Sequence, residues 1–302
     1  MTNFSDKYLK PDIFTENETF DQYCAKIPEL YLKSQVPEDV RQSFQVIESL
    51  TAFAYFNHKF IDVALTSALH TFEMAMKFKY KELTPKKANG FKGVLSFLNS
   101  REHFEVSNEV LKYYEEWRNQ HAHPERYTTG GLMFLYGLAQ ICRLINDLYE
   151  DVTLRKERII LGKHFFAELK SRYLTQYLEF HSKDYVGKLF RLKLIFINNK
   201  QQVPIYTLGY IPLFTLGTQP EIYLLKVINP RFDAGSLIAY SPKLQSEIRI
   251  CVPNIDSPNV REFKQWSTAW NLYDKSYKAE YEIEQLLSFC FISTINEFYK
   301  ME

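Results

Sequence analysis

From Glu38 onward the apolar positions recur at helical spacing: Val40, Phe44, Ile47, Leu50 and Ala54 share one stripe, behind Pro37 and two acids that suit a helix N-terminus. The next stripe is longer. Ile61, Ala64, Leu65, Ala68, Leu69, Phe72, Ala75 and Met76 keep the i, i+3, i+4, i+7 pattern until Pro85 ends it. A short apolar piece (Val94, Leu95, Phe97, Leu98) follows the Asn89-Gly90 break, then a helix from about Val106 to His121. Another helix starts after Thr129-Gly130-Gly131 and carries Leu135, Leu138, Ala139, Cys142, Ile145 and Leu148. Short loops between such helices predict a bundle.

Past Arg155 the pattern predicts a further helix reaching His181, and from Val186 the period changes. Phe190, Leu192, Leu194 and Phe196 alternate with Arg191 and Lys193, which is strand spacing. Val203 to Phe214, Ile222 to Ile228 and Glu247 to Val252 read similarly, separated by Asn198-Asn199, Gly217, Asn229-Pro230 and Gly235. With no helix between them, these strands predict an antiparallel sheet and not a crossover fold. Helices return after Asp256-Ser257-Pro258. The expected class is therefore α+β: an acidic lead over residues 1–37, an all-α bundle over 38–152, and an α+β domain with an antiparallel sheet over 153–302.

Composition narrows the function classes. The chain has 302 residues, 37 Lys and Arg against 36 Asp and Glu, and 46% hydrophobic residues. Its length fits two domains, and its composition is globular. The near-zero balance excludes bulk attraction to polyanions, so any nucleic-acid contact must be local. Two basic stretches qualify: Lys77 to Lys92, with six lysines and one glutamate, and Arg155 to Arg172, with six basic and two acidic residues. Either can equally be a solvated helix face. Cys24, Cys142, Cys251 and Cys290 are dispersed, which argues against a disulfide framework or a cysteine-bound zinc. The apolar run Leu132 to Ile145 is broken by Gln140 and Arg143 before it spans a bilayer. A cytoplasmic protein with no membrane partner is expected.

Within Glu116-Trp117-Arg118-Asn119-Gln120-His121-Ala122-His123-Pro124, Arg118 is followed by a polar residue and, five positions on, by His123. The string resembles the R-N-x3-H form of the Arg-x4-6-His motif of the HEPN superfamily, and Ala68 to Met76 resembles the helix that precedes the motif there. The likeness covers about residues 38–150. It implies a small helical bundle, often dimeric through the motif helices, and a metal-independent endoribonuclease of a prokaryotic toxin or antiviral defence system that needs no cofactor. Arg118, Asn119 and His123 would be its catalytic set, with a homodimer, RNA, and a regulatory protein or small-molecule trigger as partners. One toxin subgroup has a tyrosine two residues after the histidine. This chain has Glu125 there, so that form of regulation is not expected.

Independent chemistry agrees with those roles. RNA cleavage without a metal needs a group that moves protons near neutrality, which histidine does, and a cation that grips phosphate oxygens, which arginine does with its planar fork. Five residues of helix turn through about 140°, so Arg118 and His123 would not share a face of a straight helix. Pro124 disfavours helical backbone at His123 and frees it to turn back. One motif offers one imidazole, so two motifs across a dimer axis are the natural arrangement.

Secondary candidates are His121 and Glu73. Glu73 lies at the edge of its helix's apolar stripe, where it can accept from a motif residue, although a surface glutamate is the commoner role. His70 falls about 170° from the stripe's centre and is expected to face solvent. The motif helix is not basic, so RNA would be held by Lys77, Lys79, Lys81, Lys86 and Lys87 or by Arg155, Lys156 and Arg158. Two other classes are open: a non-catalytic HEPN-like module for dimerisation, nucleotide or partner binding, and a metal-dependent hydrolase on His121 and His123. No residue cluster accompanies that pair, so no metal ligand is assigned.

Overall fold

The computed structural model describes residues 9–87, 90–104, 108–121, 132–173, 178–214, 216, 218, 220–253, 258–277 and 279–300. The chain forms two compact units, residues 1–152 together with 296–302, and residues 153–295.

In the first unit the described helices are α1 (Phe20–Cys24), α2 (Glu38–Phe53), α3 (Lys59–Leu83), α4 (Gly90–Asn99), α5 (Asn108–His121) and α6 (Leu132–Leu148). Helix α3 is the axis, with α2, α4, α5 and α6 all packed on it. Its stripe of Ala64, Leu65, Ala68, Leu69, Phe72, Ala75 and Met76 is buried. The alanines let neighbouring helices approach closely, while Leu65, Leu69 and Phe72 bring about 1.5–3 kcal/mol of apolar burial each. The start of α3 is held by Asp12, whose Oδ2 accepts from the His58 backbone N–H at 3.1 Å and lies 3.0 Å from its Nδ1. Burial would raise the Asp12 carboxyl, but these bonds hold it below the ordinary value.

The last turns of the chain close this unit. The Tyr299 hydroxyl donates to Asp147 Oδ1 on α6 at 3.0 Å, with both residues wholly buried. Asn296 Nδ2 donates to the Glu29 carbonyl at 2.7 Å.

The second unit corrects the α+β expectation. Its strands are β1 (Leu178–His181), β2 (Val186–Asn198), β3 (Ile205–Pro212), β4 (Tyr223–Asp233), β5 (Ser236–Ser241) and β6 (Ser246–Cys251), and they form a closed antiparallel barrel in chain order. Sequence spacing locates β2, β3, β4 and β6, of which β2, β3 and β4 pair in a row while β6 pairs with none of the three. The two strands it misses are the ones that close the barrel: β5 bridges β4 and β6, and β1 pairs with both β2 and β6. The helix expected to reach His181 ends as α7 (Val152–Tyr173), and β1 follows it.

Closure leaves no free sheet edge, and alternate residues fill the interior: Leu178, Leu189, Leu208, Leu225, Val227, Leu237, Ile248 and Ile250 form one buried cluster. Helix α7 adds Phe165 to it, with ring centroids 5.2 Å from Tyr206 and 5.3 Å from Phe232. Outside the barrel lie α8 (Pro258–Tyr277) and α9 (Ala279–Lys300). Trp266 and Trp270 of α8 stack on one another and pack edge-on against Phe190, and Trp266 Nε1 donates to the Phe214 carbonyl at 2.8 Å. They are packing residues, as their i, i+4 spacing suggests.

Candidate active site

Helix α3 has an edge as well as a core. His70, Glu73, Lys77 and Lys81 recur at three- and four-residue steps along it, and after Thr84-Pro85 the chain continues into Lys86 and Lys87. Together these residues line a groove of about 690 Å³, with Met74 and Phe78 adding apolar wall. Lysine dominates it. Like charges gathered around a concavity raise the local potential for an anion well above that of a flat surface.

Glu73 ties this groove to the motif helix α5. Arg118 donates from Nε and Nη2 to Glu73 Oε2 at 3.1 and 2.9 Å, and the other carboxylate oxygen lies 2.6 Å from Lys77 Nζ. A third guanidinium donor, Nη1, reaches Asn119 Oδ1 at 3.3 Å. Among the described residues three of the five N–H groups of the guanidinium are engaged, which leaves two for another acceptor. Burial pushes the Glu73 carboxyl up, but the hydrogen bonds and charges of Lys77 and Arg118 outweigh it, so the group is held below its ordinary value. It is a carboxylate at neutral pH.

Arg118 is fixed from its surroundings as well. The guanidinium carbon sits 5.7 Å from the centre of the Phe91 ring on α4. Its neighbour Trp117 packs against Gly137 of α6, so closely that a Cβ at Gly137 would stand 2.4 Å from the indole. The absent side chain is what lets α5 seat there.

Of the residues expected from sequence, Arg118, Asn119, Glu73 and Lys77 are brought together, and Lys81, Lys86 and Lys87 lie along the same groove. Lys79 is not with them. Its side chain, 14% exposed, pairs with Glu82 at 2.8 Å and lies 5.4 Å from the Tyr149 ring. Arg155 and Arg158 are also withdrawn as RNA contacts, being 0% and 2% exposed, with Arg158 packed 5.0 Å from the Phe196 ring. Lys156 is exposed on α7, in the second unit. His121 closes α5, but its side chain, like the whole of His123, lies outside the described residues. Sequence reasoning gave no role to His70, which lines the groove and is exposed as its helical angle suggests.

Among the described residues no group of His, Cys, Asp and Glu could hold a metal ion, and no helix is long and apolar enough to cross a membrane. The His121–His123 metal alternative falls outside them. Comparison with known protein families, with curated proteins and with solved structures finds no match.

Proposed function

We propose that this protein is a metal-independent endoribonuclease of a prokaryotic defence or toxin system, acting in the cytoplasm, with Arg118 and His123 as its catalytic pair. The observation that carries the proposal is the setting of Arg118. Glu73 clamps one edge of its guanidinium beside a lysine-lined groove and leaves N–H groups for a phosphate oxygen. A basic groove suits a phosphodiester backbone, and a preorganised cation suits the charge that builds on phosphate during cleavage.

In this scheme the RNA lies along Lys77, Lys81, Lys86 and Lys87, and Arg118 holds a non-bridging oxygen of the scissile phosphate. An imidazole takes the proton of the 2′-hydroxyl, the O2′–P bond forms, and the P–O5′ bond breaks as the 5′-oxygen is protonated. The products are a 2′,3′-cyclic phosphate and a 5′-hydroxyl. His123 enters by its place in the motif. The second proton-transfer group comes either from the motif of a partner copy, which the HEPN likeness favours, or from the same groove. The barrel is assigned recognition or control, since a cytoplasmic ribonuclease without restraint would harm its own cell.

A second reading has its own support. The edge of Arg118 best shaped for bidentate binding already holds a carboxylate, as in a structural ion pair, which fits a non-catalytic dimerisation, nucleotide-binding or partner-binding module. Product chemistry separates the two. Purified protein in EDTA should cut RNA to 2′,3′-cyclic ends and spare the DNA of the same sequence, which lacks the nucleophile. Intact RNA, or cleavage only with added metal, would reject the nuclease scheme.

A further inference from the structure

Two rows of side chains run side by side along α3 into the groove. Glu73, Lys77 and Lys81 stand at four-residue steps, and His70, Met74 and Phe78 stand at the same steps one row over. The first row is ionic, and Lys86 and Lys87 continue its charge beyond Pro85. Glu73 engages Lys77, while Lys81, Lys86 and Lys87 are exposed and, among the described residues, pair with no carboxylate. The second row ends in an open aromatic ring. Phe78 is 37% exposed and makes no ring contact among the described residues, whereas Phe72 and Tyr80 of the same helix each meet another ring, at 6.0 and 4.6 Å. An open ring beside three ammonium groups suits a ligand that carries both a phosphate and a flat apolar face.

A duplex does not meet that description, because its base faces are stacked inside and only edges, sugars and phosphates reach a protein. An unpaired strand does, since its bases have free faces that stack on aromatic side chains while the backbone is held by cations. The spacing agrees. Side chains four apart on α3 stand about 6 Å apart along the axis, against about 3.4 Å per nucleotide in one strand of a stacked duplex, a step that an extended strand matches and a stacked one does not. We propose that the groove selects single-stranded RNA, with Phe78 stacking an unpaired base while Lys81, Lys86 and Lys87 hold the adjoining phosphates. The inference rests on the reading of the groove as an RNA site and deepens it, by naming the form of RNA and the side chain that selects it.

The test is fluorescence anisotropy with the full chain and 2′-O-methyl oligonucleotides, which lack the nucleophilic hydroxyl and stay intact. A single strand, the duplex of the same sequence and an abasic phosphodiester of the same length are compared for wild type, Phe78→Ala and Phe78→Trp. The wild type should bind the single strand about tenfold or more tighter than the duplex or the abasic chain. Phe78→Ala should lose about 5- to 100-fold on the single strand and stay within about threefold on the other two, with an unchanged salt slope. Phe78→Trp, which keeps a flat ring, should restore single-strand binding. Wild-type affinity in Phe78→Ala, or an equal loss on all three ligands, would overturn the role of Phe78 and leave the groove as a backbone site. Competition by AMP at the oligonucleotide's own concentration would overturn it too, because that marks a site for a free nucleotide. Charge reversal at Lys81, Lys86 and Lys87 without effect on any of the three ligands is a different failure, of the RNA groove itself.

Discussion

Arg118 and Glu73, 45 residues apart in sequence, meet through two hydrogen bonds from one guanidinium edge to a single carboxylate oxygen. The pair joins the motif helix α5 to the central helix α3, and it leaves the motif arginine oriented before any ligand arrives. Orientation of this kind is worth most where a ligand must be met at fixed geometry, since a misplacement of about 1 Å can cost about 100-fold in rate.

Replacing Glu73 with Gln removes the charge that both Arg118 and Lys77 use. Stability measured by urea unfolding should fall by about 1–2 kcal/mol at pH 7, and cleavage should fall by about tenfold or more as Arg118 loses its clamp. The pH dependence has a definite sign. The folded-state carboxyl is held below its ordinary value, so its contribution is complete above the unfolded-state pKa of about 4.3 and is lost as pH falls through the lower folded value. The gap between wild type and Glu73→Gln should therefore be full at neutral pH and narrow in acid. A gap that widens in acid would contradict the assigned charge state.

The lysines divide into those that line the groove and those that do not. Charge reversal at Lys81, Lys86 and Lys87 together should weaken binding of single-stranded RNA and lower the slope of log affinity against log salt by about 2, at about 0.7 for each phosphate no longer neutralised. Fluorescence anisotropy at several salt concentrations reads both quantities. An unchanged slope would mean that the groove does not hold the backbone.

Gly137 controls the seat of the motif helix without touching the groove. A Cβ there would stand 2.4 and 2.9 Å from atoms of the Trp117 ring, so Gly137→Ala must push the indole, and α5 with it. Overpacking should cost about 1–3 kcal/mol, and cleavage should drop alongside. Tryptophan fluorescence follows the indole directly, and a wild-type spectrum together with wild-type stability would show that α5 does not depend on this packing.

The helices were readable because their apolar stripes are long. The barrel was not, because closure depends on its two least conspicuous strands. Leu178 to His181 is only four residues and follows α7 closely, while β5 is reached through Ala234-Gly235, both at positive φ (42° and 77°). That two-residue hairpin is usually written with Asn, Asp or Gly at its first position, so alanine there hides it. Arg155 and Arg158 were misassigned because a run of charge carries no information about burial. Glu73 was partly readable from its place at the stripe's edge. His70 was not, since its helical angle gives exposure, while the groove depends on the chain turning back after Pro85. Nor could sequence place Tyr299 against Asp147, a buried pairing that spans 152 positions.

The R-N-x3-H string, with Arg118 fixed by Glu73, is the proposed RNA-cleaving site. The most direct measurement is the initial rate of RNA cleavage in EDTA by the full-length protein, wild type beside His123→Ala and Arg118→Lys. Lysine keeps the charge of Arg118 but loses the fork. The expected result is metal-independent cleavage by the wild type, a loss of about 100-fold or more in His123→Ala, and a comparable loss in Arg118→Lys. Equal rates in all three proteins would contradict it.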